Sequence, residues 1–254
     1  MDMMEAIEKR ISCRAFTAQA LPQALFAELE REIDALNDES GLHFQLYGPR
    51  PDGTAIDMNR KMFAANPPAY AAFAAPEGAE PEEKLGYYGE RFILKATQLG
   101  LATCWVASTY DRATTRIELA PGEKLHDVVP IGYAPAKLPL VQRTIRGSLR
   151  KRSKANRDLY RGPCPLEQAP RWLQAAIQAV QLAPSAVNEQ PVVFVQDAAD
   201  APVRATIPVV RTRMEYTDLG IAKLHFELAA AACGVEGAWE WGAGGRFVVT
   251  GGSA

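Results

Sequence analysis

Two long helical patterns, each halted by a glycine, constrain this chain most. Leu85 to Leu99 sets Phe92, Ala96 and Leu99 on one face and stops at Gly100. Leu219 to Cys233 is alanine-rich and stops at Gly234. Glycine in that place suits a left-handed helix stop. A helix and a strand precede each pattern: Pro22 to Leu36 then Leu42 to Gly48, and Arg171 to Leu182 then Val192 to Gln196. A further strand follows each, Asp127 to Ala134 and Arg246 to Thr250, the last ending in Gly251-Gly252. The order of elements therefore occurs twice, with slight identity between copies, which marks a repeat of fold rather than of sequence. At 254 residues the chain can bury a full core as two closely packed halves, 1–150 and 151–254.

Local signals set the expected boundaries. Met4 to Lys9 reads as a short helix. Pro22 opens the second helix, with Leu25, Phe26, Leu29, Ile33 and Leu36 at helical spacing, and Asn37 to Gly41 is expected to break it. Leu42, Phe44 and Leu46 alternate against His43, Gln45 and Tyr47, as in a strand. Residues 49–66 are loop-like, with room for a short helix around Asp57 to Ala65. Ala69 to Ala75 is a short apolar strand. Pro130 implies that its strand lies at an edge or is irregular. Trp172, Ala175, Ala176, Ala179 and Val180 are expected to face inward.

Charge and cysteine usage exclude several classes. The formal net charge is −2, so nothing global favours nucleic acid or a membrane surface. Arg143, Arg146, Arg150, Lys151, Arg152, Lys154 and Arg157 form an acid-free run. Such a run is read as a solvated loop and helix start, or as a basic rim that attracts a phosphate-bearing reductant such as NADPH. Cys13, Cys104, Cys164 and Cys233 form no CxxC pair, and His43, His126 and His225 show no metal spacing, so no metal site is expected. The acidic N-terminus lacks a signal-peptide pattern, and no run of about 18 uncharged apolar residues occurs. A cytoplasmic, reduced protein is expected.

Two segments carry chemistry. Arg10-Ile11-Ser12-Cys13-Arg14-Ala15-Phe16 offers two guanidiniums and a hydroxyl, equipment for gripping a phosphate. Ala183-Pro184-Ser185-Ala186-Val187-Asn188-Glu189-Gln190-Pro191 stops a helix and presents a hydroxyl and amides in a rigid turn, suited to the polar edge of a flat heterocycle. Surface arginines and ordinary helix termination are the plainer readings of the two.

These segments, with Gly100-Leu101-Ala102-Thr103-Cys104-Trp105, resemble the three motifs of the nitroreductase family of FMN-dependent oxidoreductases. The usual openings are Arg-Arg-Ser-x-Arg-x-Phe, Ala-Pro-Ser-x-x-Asn-x-Gln-Pro and Gly-Leu-Gly-Thr-x-Trp. Here Ile11 replaces the second arginine of the first. The order also departs from the family, because the proline-serine-asparagine motif falls in the second half. The resemblance implies an α+β fold of mostly antiparallel sheets flanked by helices, with one chain mimicking the family homodimer. It implies a monomer with an internal pseudo-two-fold and one FMN per chain. Arg150-Lys151-Arg152-Ser153 would be the remnant of a second opening.

By the same resemblance, Arg10, Ile11, Ser12 and Arg14 would hold the FMN phosphate. Backbone groups of Ala102, Thr103 and Cys104 would approach the ring near N5 and O4. Pro184, Ser185 and Asn188 would meet the pyrimidine edge or ribityl chain, with Gln190 holding the turn. Arg246 is a further phosphate candidate, or an ordinary strand-edge arginine. Cys104 is expected to pack rather than react. NADH or NADPH would reduce the flavin, and a small-molecule acceptor such as a nitroaromatic or quinone would reoxidise it by ping-pong exchange. Three alternatives stay open: a flavin-binding sensor or carrier, a degenerate scaffold without flavin, and another flavin chemistry using a lid from residues 49–66 or 76–84.

Overall fold

The computed structural model describes residues 1–251, apart from the side chains of Val141 and Arg146. Gly252, which was expected to end the last strand, lies outside the described residues. In chain order the helices and strands are α1 (Met3–Lys9), α2 (Gln23–Ser40), β1 (His43–Tyr47), β2 (Ala69–Pro76), α3 (Ala79–Gln98), β3 (Ala102–Thr103), β4 (Glu123–Gly132), α4 (Leu140–Arg150), α5 (Asn156–Leu159), β5 (Tyr160–Arg161), α6 (Arg171–Leu182), β6 (Val193–Val195), β7 (Arg204–Thr206), α7 (Met214–Ala232), β8 (Glu236–Trp239) and β9 (Phe247–Gly251). They fall into two compact units. The first holds Met1, Lys9–Glu77 and Phe92–Ser148; the second holds Asp2–Glu8, Gly78–Arg91 and the chain from Leu149 onward.

The first unit is built on an antiparallel sheet in the order β1-β2-β4-β3. All of β2 except Pro76 is buried. Its run of alanines gives the strand a thin profile, and alternation sends Tyr70 and Ala72 to one face and Ala71 and Phe73 to the other. Phe73 meets its cross-strand partner Phe44 at 4.2 Å and Phe92 of α3 at 6.0 Å. Tyr70 and Ala72 belong instead to a cluster with Cys13, Phe16, Ile56, Phe63, Cys104 and Val128.

That cluster corrects the reading of residues 49–66. They contain no helix, and Ala55, Ile56, Met58 and Phe63 are buried in the core. The loop is also tied down: Arg50 bonds Asp57 at 3.1 Å, and Asn66 donates to Asp57 at 2.7 Å. A segment with that much buried apolar surface is part of the sheet's cover, not a free lid. Within residues 76–84, α3 already begins at Ala79.

Several elements differ from expectation: α3 and α7 begin at Ala79 and Met214, ahead of Leu85 and Leu219, and β4 begins at Glu123, ahead of Asp127. Helix α2 passes through Asn37 and ends at Gly41, whose φ is 70°. Asn37 does not break the helix because its side chain reaches outward, bonding both Phe44 N and Phe44 O at 2.8 Å. Strand β4 is interior, not an edge. Val128 N donates to Val106 O at 2.9 Å, so by alternation the nitrogen of Pro130 points to the same side. It faces Cys104, between Thr103 and the Val106–Val128 bridge, and the ladder is interrupted there. A second irregularity of β4 lies where the register shifts between Phe73 and Ala74 of its partner.

The second unit contains a three-stranded sheet, β5-β6-β7, and the β8–β9 hairpin pair. Among its described residues β5 and β6 run parallel, and the other strand pairs are antiparallel. Between α6, α7 and these strands sits an aromatic cluster: Phe194 stacks on Phe226 at 4.9 Å, with Trp239 and Phe247 edge-on to Phe226 at 5.1 and 5.2 Å. Leu173, Ala176, Ile177, Ala179 and Val180 form the buried face of α6; Trp172 is half-buried and Ala175 is not in the core.

The first turns of α3 cross α7 at two glycines. A Cβ on Gly86 would lie 2.0 Å from Thr217 O, and one on Gly220 would lie 1.8 Å from Glu83 O. Only hydrogen at both positions allows this approach. It buries charge: Lys223 pairs with Glu83, both essentially inaccessible, and His225 meets Glu90 at 3.1 Å. Burial pushes the Lys223 amine down, against the pull of Glu83. The carbonyls of Glu240 and Gly242 at 2.8 and 3.1 Å and the Trp239 ring at 5.4 Å complete its surroundings.

Candidate functional site

In the first unit, the chain after α1 runs beside β3. Ser12 forms a parallel bridge with Thr103, and Cys13 N donates to Thr103 O at 2.8 Å. On the other side, Arg14 N donates to Gln142 Oε1 and Arg14 O accepts from Ala64 N, both at 2.9 Å. Cys13, Ala15 and Phe16 are buried, while Arg10, Ile11, Ser12 and Arg14 are half-buried. The backbone is thus fixed and the alternate side chains stay accessible. Gln142 is a support that sequence reasoning did not find. It immediately precedes the basic run, 128 residues downstream of Arg14, and carries no local signal.

The unit therefore brings Ser12 into contact with Thr103 and sets Arg10 and Arg14 within electrostatic range of Cys104. Burial pushes the Cys104 thiol up, and Arg14, Arg10 and the Ser12 hydroxyl only partly counter it. The thiol stays protonated at neutral pH, as befits a packing residue. Thr103 Oγ1 is buried and meets no hydrogen-bond partner among the described residues. A native buried hydroxyl without a partner calls for one. Arg14 makes no ion pair among the described residues.

In the second unit, Pro184, Ser185 and Asn188 lie in the turn after α6. A 3-10 turn spans Ala186–Asn188, and Val187, Asn188 and Gln190 have φ of 45°, 57° and 46°. Asparagine tolerates this region, but a β-branched valine there is a true outlier. Such residues cost about 1–3 kcal/mol each and persist only when the surroundings over-determine them. Here Gln190 N donates to Ser185 Oγ at 2.9 Å, and Gln190 Nε2 donates to Gln181 O at 2.8 Å. Lys154 donates to Gln190 Oε1 from its amide and to Gln190 O from Nζ, both at 2.7 Å. Gln190 holds the turn, as the sequence suggested.

Asn188 Nδ2 donates to Leu149 O at 2.8 Å and to Ser153 Oγ at 3.0 Å. Its amide orientation is therefore fixed, leaving Oδ1 as an acceptor without a partner among the described residues. Ser185 Oγ accepts from Gln190 and keeps its proton to give. The basic run is not uniformly solvated: Arg143, Arg150, Lys151, Arg152 and Arg157 are exposed, but Lys154 is half-buried in the clamp. Arg246 is committed to Glu240, with Nε to Oε2 at 2.9 Å, and this pair holds the Glu240 carboxyl down at about 2. No group of His, Cys, Asp and Glu among the described residues could hold a metal, and all four cysteines are free. No described helix is long and apolar enough to cross a membrane.

The chain belongs to the nitroreductase family described as "Putative TM nitroreductase", whose model matches residues 2–230. The fold is similar to that of a "putative nitroreductase" from Thermotoga maritima, at 20% identity and a TM-score of 0.62, over 98% of this chain and 93% of that one. A nitroreductase family protein from Clostridium novyi matches at 18% identity and a TM-score of 0.41, over 54% of this chain and 87% of its own. A nitroreductase with bound FMN from Bacteroides fragilis matches at 17% identity and a TM-score of 0.39, over 55% of this chain and 92% of its own. No curated protein matches the chain.

Proposed function

We propose that this chain is an FMN-dependent oxidoreductase that takes hydride from NADH or NADPH and delivers it to a nitroaromatic, quinone or similar small acceptor. The observation that carries the reading is the docking of Arg10-x-Ser12-x-Arg14 on Thr103, in a chain whose family membership spans residues 2–230. Bound FMN would supply the two-electron chemistry, so the protein needs no nucleophile of its own.

The residues present fit that cofactor. Arg10 and Arg14 would neutralise a dianionic phosphate by charge-assisted hydrogen bonds, and Ser12 would add a neutral donor. Thr103 Oγ1, buried and unsatisfied, has hydrogen-bonding capacity to spare. Asn188 Oδ1 can accept an imide-like N–H, and Ser185 can donate to a carbonyl. With Arg246 paired to Glu240, the reading places the weight of phosphate binding on Arg10 and Arg14. One flavin per chain is proposed, with residues 1–150 and 151–254 standing for the two subunits of an ordinary family dimer.

Stopped-flow mixing of FMN-loaded protein with NADH and with NADPH tests the activity. Bleaching of the flavin, followed by its return on mixing with a quinone, is expected. Failure of both nicotinamides to bleach it would reject the reductase reading and leave a flavin-binding sensor or carrier.

A further inference from the structure

The Ser185–Gln190 turn is held from below by one carboxylate. Asp218 lies in the second turn of α7 and is almost fully buried. Both of its oxygens accept from Ala186 N, at 3.0 and 3.2 Å. Ala186 follows Ser185 directly and opens the strained stretch. Pro184, Ser185, Gln190 and Asp218, with apolar neighbours, line a cavity of about 10 Å³, at the lower limit for one water. Beside that packing, hydrogen bonds accepted by Asp218 and by Ser185 define the backbone of the turn.

We propose that Asp218 is a positioning residue, which fixes the Ser185–Gln190 turn in its left-handed conformation and so presets Ser185 and Asn188 for the ligand. This rests on the flavin reading for the ligand's identity, though not for the turn itself. Preorganisation lowers the ordering cost of binding. Without the carboxylate, the Ala186 amide loses its acceptor, and a valine at φ 45° has reason to relax.

The test compares the full-length wild type with Asp218→Ala and Asp218→Asn. Three quantities are read: FMN affinity by flavin fluorescence, amide hydrogen exchange across Ala183–Gln190, and the thermal midpoint of the protein without FMN. Asp218→Ala is expected to weaken FMN binding by about tenfold or more and to speed exchange at Ala186. Asp218→Asn keeps one acceptor oxygen and is expected to restore most of the affinity. A general loss of packing would instead lower the midpoint in step with affinity in both variants. Unchanged affinity and unchanged exchange in Asp218→Ala would overturn the proposal. If that variant does not fold, the near-isosteric Asp218→Leu, which also lacks an acceptor, decides: an exchange rate at Ala186 equal to wild type overturns the proposal. If the wild type itself takes up no FMN, the flavin reading fails, while exchange at Ala186 still decides whether Asp218 holds the turn.

Discussion

Gly220→Ala isolates the α3–α7 crossing. In an ordinary helix this change is favourable by about 0.5–1 kcal/mol, because alanine gives up less backbone freedom. Here the added Cβ would lie 1.8 Å from Glu83 O and 2.6 Å from Tyr87 N. Both obstacles are backbone atoms of a helix, so no side chain can swing aside. Forcing a methyl group against backbone costs about 3 kcal/mol, the upper end for overpacking, so the net loss is about 2–2.5 kcal/mol. A domain of 150–250 residues loses about 2–4 °C per kcal/mol, so the midpoint should fall by roughly 4–10 °C. Gly147→Ala in α4 is the control, since nothing lies within 4 Å of its new Cβ. That variant should hold or gain about 1 kcal/mol. Both melts are read by circular dichroism at one scan rate. A Gly220→Ala midpoint at or above wild type would refute the crossing.

Three further outcomes follow from buried or paired charge. Lys223→Met removes the cation beside Glu83 and should destabilise by about 3–5 kcal/mol, seen as a lower urea midpoint, with Glu83→Gln in the same chain recovering part of the loss. Brief alkylation at neutral pH followed by mass spectrometry should label exposed Cys233 and spare Cys104, whose thiol burial keeps protonated. The Arg50 hydrogen bond holds the Asp57 carboxyl below its ordinary value of 3.8. Its stabilising contribution is therefore complete above that value and is lost as pH falls through the lower folded one. Asp57→Asn should accordingly flatten the acid limb of stability against pH, and an unchanged limb would count against the pair.

The sequence made the periodic parts of the fold legible. The strands at 43–47 and 69–76 and the glycine stops at Gly100 and Gly234 follow from local pattern. Where the reading failed, tertiary contacts decided. Asn37 looked like a helix breaker until Phe44 supplied partners for its side chain. Residues 49–66 looked open because Pro49, Pro51 and Gly53 dominate the pattern, yet Ile56 and Phe63 fill the core. The motif residues of the site were legible as residue types. Their supports were not, because Gln142, Lys154 and Asp218 act over separations of 32 residues or more and have no local signature. Nor did anything in the sequence show that Gly86 and Gly220 mark a helix crossing.

The proposed function has Arg10 and Arg14 gripping the FMN phosphate and Asn188 accepting from the flavin. The most direct measurement is the visible absorption spectrum of the protein after FMN is added and the excess removed by gel filtration. The account predicts a retained flavin band in the wild type, lost in Arg14→Ala and in Asn188→Ala while both variants stay folded. A colourless wild type, or variants that retain flavin as well as it does, would contradict the account.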